Sequence, residues 1–304
     1  MSEPKKHHIV PRCYLEKFAI RNRGDQHYVD VLFKKKNSTE IHEKEISTIC
    51  SINQFYTFDG LPEKEKRWLE KYYSHHIESV YHDIYDKLTD PSIDIVTPEF
   101  KTKILAYVIS QELRTTKIPN ALNSLMNGVL EYAFLAHEQL GTKKQIVSED
   151  GKVIDLEGKT LEEAFKESNS SNRQAANLES VKRLKQISEL KSGYHVMIVQ
   201  YKGDLGLISS DRPVHITEPL YSPNCIIRLP IDRSHIVCLY PYNREVEPNS
   251  YRILRLEHSE QASMPLALSL NILQIEQSES FIYGRKANIE ETMKHYNRLL
   301  SKDK

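Results

Sequence analysis

The spacing of apolar residues changes character along this chain, and that change constrains the fold more than any single motif does. Between residues 63 and 192 apolar side chains recur every three or four positions: Leu69, Tyr73, Ile77, Tyr81, Ile84 and Leu88 make one stripe, and Ile104, Leu105, Val108, Ile109 and Leu113 make another. That is the period of helices buried along one face. From Tyr194 the pattern turns to strands: Tyr194 to Tyr201, Leu205 to Ser209, Ile226 to Pro230, His235 to Tyr240 and Tyr251 to Leu256. Before the helical stretch, Gln26 to Lys35 reads as a strand, and Phe55 to Phe58 as a shorter β piece ending at the Asp59-Gly60 turn. A helical middle with β-rich material on both sides predicts an α+β fold: helices over about residues 63–192, packed with a mostly antiparallel sheet formed by N-terminal and C-terminal strands. With 304 residues and 39% hydrophobic content, the chain reads as a single domain with one real core.

Local punctuation sets the expected boundaries. Thr97-Pro98 opens a helix, the threonine as N-cap and the proline at the first helical position, running to about Thr116. The next helix runs from Asn120 to about Leu140 and stops at Gly141, whose freedom to adopt a left-handed backbone suits a helix C-terminus. Asp150-Gly151 between Ile146-Val147 and Val153-Ile154 predicts a small hairpin. The serine-rich stretch Lys166 to Ala175 reads as a mobile loop between two helical stretches. A helix over Leu178 to Leu190, another over Ser259 to Glu276, a strand at Ser280 to Tyr283 and a terminal helix complete the reading.

Charge and cysteine content narrow the classes. Lys+Arg and Asp+Glu both number 42, so any nucleic-acid contact must come from a local patch. One candidate exists: the first 36 residues carry Lys5, Lys6, Arg12, Lys17, Arg21, Arg23, Lys34, Lys35 and Lys36 against Glu3, Glu16, Asp25 and Asp30. The four cysteines have no CxxC spacing and read as reduced, buried thiols. The N-terminus lacks a signal-peptide core and no apolar run is long enough to span a membrane, so the expected setting is cytoplasmic, with no membrane partner.

Three distant segments hold residue types suited to chemistry. The tandem His7-His8 precedes Pro11 and an apolar run. Gln111 and Arg114 sit near a helix end, and Ser210 and Asp211 come after an apolar strand just before Pro213. An imidazole, a guanidinium and a carboxylate converging from separate elements would suit acid–base chemistry on a phosphodiester. Each also has a structural reading: a solvated or packed histidine, an arginine paired with a core-edge acid, and an aspartate holding backbone amides in a turn. His75, Glu78, His82 and Asp86 share one helical face and are weak metal candidates; the simpler reading is a solvent-facing side. Nothing resembles a P-loop, a Rossmann glycine fingerprint or a zinc-type Cys/His pattern.

Taken together, His8-Ile9-Val10-Pro11 with Tyr14-Leu15 and Phe18 after it, Ile49-Cys50 with Phe55-Tyr56, Gln111 to Arg114, Leu207 to Val214, and Asn271 to Tyr283 resemble the uncharacterised family catalogued as domain of unknown function 4238. The resemblance covers most of the chain, residues 145–175 with their hairpin and loop looking like a variable insertion, and implies no activity. His-His-Ile-x-Pro also resembles the core of HNH endonucleases, but only six residues precede His7 and a strand-like segment comes after Asp25 where a ligand-bearing helix belongs. These residues support two expectations. In the first the chain is a phosphodiester hydrolase, a nuclease of RNA or DNA. His8 is then its general acid/base, Arg114 neutralises developing charge, Asp211 orients the histidine or a divalent metal, and His7, Ser210 and Gln111 support them. In the second the chain is a non-catalytic sensor or interaction module in which the same residues form a structural polar network.

Overall fold

The computed structural model describes residues 6–34, 39–147, 151, 153–243, 245, 247 and 249–302. Lys5, Lys35, Lys36 and Asp150, which entered the basic-patch and hairpin expectations, lie outside the described residues. The chain enters through strand β1 (Lys6–His8), one helical turn α1 (Arg12–Leu15) and a 3-10 turn at Glu16–Phe18. Strands β2 (Arg21–Arg23), β3 (Gln26–Phe33) and β4 (Ile41–Glu45) come next and then, after a short turn, β5 (Ser51–Asn53). Strand β1 pairs antiparallel with β5, His7 opposite Ile52 and His8 opposite Ser51. The N-terminus is therefore stitched down before its apolar run begins: Val10, Tyr14, Leu15 and Phe18 are all fully buried. The β piece expected at Phe55 to Phe58 is a turn instead. Gln54 takes a left-handed backbone (φ 52°), which breaks the extended run and sends all four side chains inward.

The helical middle comprises α2 (Trp68–Tyr73), α3 (Tyr81–Thr89), α4 (Pro98–Leu113), α5 (Lys117–Leu140) and α6 (Leu161–Leu190), with a hairpin of β6 (Gln145–Val147) and β7 (Val153–Asp155) between the last two. Thr97 caps α4 through its side chain, which accepts from the Phe100 N–H, and α5 ends at left-handed Gly141, both as the local signals predict. Two expectations are corrected. The single helix predicted through Leu88 is interrupted by a π-helical turn at Ser74–Glu78, where the Ser79 N–H bonds the Ser74 carbonyl at 3.1 Å; the extra residue rotates α3 relative to α2. Lys166 to Ala175 is not a loop but the middle of the 30-residue helix α6. A capping box closes its start, with Thr160 and Glu163 each bonding the other's backbone N–H. Its polar face is spent on tertiary bonds: Arg173 donates to the Phe55 carbonyl (3.1 Å), Asn177 to the same oxygen (2.6 Å), and Gln174 accepts from the Asp59 N–H (2.8 Å).

The C-terminal part supplies β8 (His195–Tyr201), β9 (Ser209–Ser210), β10 (His215–Ile216), β11 (Ile227–Pro230), β12 (His235–Tyr240), β13 (Ile253–His258), helix α7 (Glu260–Gln277), β14 (Phe281–Gly284) and helix α8 (Lys286–Lys302). One sheet has the order β10-β11-β12-β8-β13, antiparallel except that β13 runs parallel to β8. The other has the order β2-β3-β14-β9, with β4 also paired to β3. In that second sheet N-terminal β3 lies beside C-terminal β14, so the two ends of the chain share strands, as an α+β fold with a helical middle requires. Strand β9 is shorter than the apolar run Leu205 to Ser209 predicts, because the Leu207 N–H goes to the Arg233 carbonyl and the Ile208 N–H to the Asn271 side chain. The main core draws on all three parts: Tyr14 and Phe18 meet Tyr81 and Ile104 from the helices, and Leu229, Val237 and Tyr283 from the sheets.

A buried arginine network as the candidate functional site

Arg114, just past the end of α4, is the centre of the polar interior. It is only 2% exposed, yet almost every group around it accepts a hydrogen bond. Its Nη2 donates to the His8 backbone carbonyl (2.9 Å) and to the Glu78 carboxylate (2.7 Å), and its Nε donates to the Tyr56 hydroxyl (3.2 Å). The guanidinium also lies over the Tyr73 ring at 4.3 Å and the Tyr56 ring at 5.6 Å. Burial opposes the charge, but Tyr56, Glu78 and Tyr73 outweigh it and hold Arg114 firmly protonated. Glu78 ends the π-helical turn. A regular helix would leave it on the face shared with His75, His82 and Asp86, which are exposed; Glu78 alone of the four is partly buried, against Arg114.

The two histidines have different surroundings. His7 is 1% exposed; its Nδ1 accepts from the Tyr56 N–H at 2.9 Å, its ring stacks on Tyr56 with the planes 8° apart, and its Nε2 stands 3.0 Å from the Glu70 carboxylate. With Nδ1 engaged as an acceptor, the neutral ring carries its proton on Nε2, facing that carboxylate. His8 is half-buried. Burial is the main cause lowering its pKa from the ordinary value; Glu78 and a bond to the Ile46 backbone oppose the shift, and Arg114 and Arg12 add to it. Its Nε2 is buried without a hydrogen-bond partner, as are Arg114 Nη1 and both amide atoms of Gln111, which is 0% exposed. Tyr107, Gln111 and Arg114 are spaced by four and three, which places them on one side of α4.

Asp211 and Ser210 belong to a second network. Asp211 is 5% exposed, and its two carboxylate oxygens accept from the backbone N–H groups of Glu279 (3.0 Å) and Ser280 (2.7 Å). Burial raises its pKa, against those two bonds. Ser210 is fully buried and donates to the Gln274 side chain at 2.8 Å, and Gln274 in turn donates to the Pro213 carbonyl. The expected convergence of His8, Arg114 and Asp211 is therefore met only by the first two: the carboxylate beside Arg114 is Glu78, and the backbone of Ile46 holds the His8 ring. Asp211 holds backbone amides, here those leading into β14 rather than those before Pro213.

The remaining candidates carry less. Among the described residues, no group of three or more His, Cys, Asp or Glu side chains is arranged to hold a metal ion, which leaves His75, Glu78 and His82 without support as ligands. The four cysteines are unpaired, and burial pushes the Cys13 thiol up to about 12, far from a nucleophilic thiolate at neutral pH. Much of the basic N-terminus is already engaged: Arg21 and Arg23 face Glu43, Arg12 faces Glu16, Lys17 lies over the Tyr85 ring, and Lys34 donates to the Ile275 and Ser278 carbonyls. Among the described residues, no helix is long and apolar enough to cross a membrane. Sequence reasoning missed Tyr56 and Tyr73 as the walls around Arg114, although Tyr56 lies in a segment that carried the family resemblance. It also missed Arg173, hidden in the stretch read as a loop, and Asn177, just beyond it.

Comparison with known proteins returns one result. No curated protein and no solved structure matches the chain. The family model described as "Protein of unknown function (DUF4238)" matches residues 6–288, nearly the whole length, and the chain belongs to that family.

Proposed function

We propose that this protein is a non-catalytic interaction module, in which the arginine network locks the N-terminal segment against the helical layer. The observation that carries this reading is the state of Arg114: its charge is already balanced by Glu78, its faces are covered by two tyrosine rings, and it is 2% exposed. A phosphate clamp must offer guanidinium N–H groups to solvent, and this one offers them to the protein's own backbone. Asp211, which a hydrolase of the expected design needs beside His8, is occupied by two backbone amides. Among the described residues, Arg12, Lys17, Arg21, Arg23 and Lys34 are already engaged within the chain, which leaves these side chains less free to bind a polyanion.

One observation favours a second reading, a phosphodiester hydrolase acting on RNA or DNA. Nε2 of His8, Nη1 of Arg114 and the Gln111 amide are buried polar atoms without partners, and such atoms often mark an unfilled site. Burial also favours neutral His8, the form a general base needs. The two readings separate in one experiment on the full chain. Generic RNA and DNA are incubated with wild type, with and without divalent metal, and the melting temperature of His8→Ala is measured in parallel. The module reading expects no cleavage and a melting temperature lowered by loss of the half-buried His8 ring and its bond to the Ile46 backbone, the Arg114 bond to the position-8 carbonyl being retained. Cleavage by wild type that His8→Ala abolishes at unchanged melting temperature would establish the hydrolase instead.

A further inference from the structure

Helix α5 carries an exposed seam of coiled-coil type. Ala121, Leu125, Gly128, Tyr132, Leu135 and Gln139 recur at alternating spacings of four and three, and all six are exposed, with Leu125 at 66%, Tyr132 at 72% and Leu135 at 47%. The opposite side of the helix is already used: Leu130, Ala133 and Phe134 pack with Leu156, Leu161, Ala164 and Phe165 from the hairpin and α6. Isolated surface leucines are ordinary, but a repeating apolar seam over some 18 residues is the pattern of a helix that packs on another helix. We propose that α5 pairs antiparallel with α5 of a second copy of this chain; this rests on the interaction-module reading and names its partner.

The second copy is favoured over another helix by how the seam fits itself. When two copies run antiparallel with a two-fold axis at position 130, Leu125 meets Leu135 of the other chain, Ala121 meets Gln139 and Gly128 meets Tyr132. The largest seam side chain then faces the smallest, and no atom lies within 4 Å of where a Cβ on Gly128 would stand. A glycine inside a helix costs about 0.5–1 kcal/mol relative to alanine, and among the described residues nothing packs against the open side of this one. A notch for a tyrosine ring gives it a use. A parallel, in-register pair would instead set Tyr132 on Tyr132 and leave a gap at paired glycines. A closed two-fold interface of this kind forms a dimer and stops there.

The test is sedimentation equilibrium of the full chain at micromolar to tens of micromolar concentration, with thiol cross-linking by a short bismaleimide to read the register. The proposal expects a reversible dimer that Tyr132→Asp weakens about tenfold or more, with the circular dichroism spectrum unchanged because the side chain is exposed. Mixed Leu125→Cys and Leu135→Cys chains are expected to cross-link to each other, neither variant to cross-link to itself, and the wild-type chain, with its native thiols, to give the blank. A monomer throughout the concentration range, a dimer indifferent to Tyr132→Asp, or self-cross-linking of Leu125→Cys would each overturn it. A monomer that docks a different helical protein on this face would overturn it as well. None of these outcomes touches Arg114, so the module reading stands or falls on its own measurement.

Discussion

Arg114 donates to the backbone carbonyl of His8 across 106 residues of sequence, and through that bond the end of α4 holds the first strand of the protein in place. The pairing is unusual in its economy of partners. The acceptor is a carbonyl that any residue at position 8 would supply, whereas the donor must be a guanidinium, because one ammonium cannot reach His8, Glu78 and Tyr56 together while stacking on two rings.

Deleting residues 1–18 is expected to remove much of the protein's stability. Val10, Tyr14, Leu15 and Phe18 are each fully buried, and burial of such side chains contributes about 1.5–3 kcal/mol apiece. Denaturation in urea checks this: a truncation with an unchanged midpoint would contradict the packing described for the N-terminus.

Stability should also fall on acidification through His8. Its folded pKa lies below the ordinary value, first because of burial, so the unfolded chain binds the proton more readily. The stabilisation is fully present above the unfolded value of about 6.5 and is lost as pH falls from there toward the folded pKa. His8→Gln should flatten the stability profile between about pH 7 and pH 5, and a profile identical to that of wild type would count against the assignment.

Much of the architecture could be read locally. Thr97-Pro98 and Gly141 mark helix ends by their own stereochemistry, and the change of apolar period at Tyr194 separates helices from strands wherever tertiary contacts agree with it. The failures lie where distant contacts decide. Lys166 to Ala175 reads as a loop because serine and asparagine compete for backbone hydrogen bonds; it is helical because Arg173 and Asn177 find the Phe55 carbonyl more than a hundred residues away. Glu78 reads as solvent-facing because ideal periodicity places it there, and a π-helical turn moves it. His8 and Arg114 were legible as residue types worth watching, but their joint role was not, since the bond between them uses a backbone oxygen that leaves no trace in sequence.

Asp211→Ala should cost stability rather than a rate. It leaves the Glu279 and Ser280 N–H groups without their acceptors, a loss of about 1–3 kcal/mol for each group that stays buried. Thermal melting together with amide hydrogen exchange at Ser280 checks this, and unchanged protection at that amide would contradict the assigned role.

Thr160→Ala should destabilise α6 by about 1 kcal/mol through loss of the capping box. Hydrogen exchange should quicken in the first turns of α6 and remain slow toward Ile187, which is buried in the main core. Uniform acceleration along the whole helix would mean that α6 is not secured at its two ends independently.

The most direct test of the arginine network is the denaturation midpoint of Arg114→Met, measured beside Arg114→Lys. Methionine fills similar volume but leaves the His8 carbonyl, the Tyr56 hydroxyl and the Glu78 carboxylate without their donor. Removing one partner of a buried ion pair costs about 3–5 kcal/mol; with Glu78 28% exposed, the lower end of that range is expected, and lysine should recover little of it. An Arg114→Met protein as stable as wild type would contradict the structural role given to Arg114.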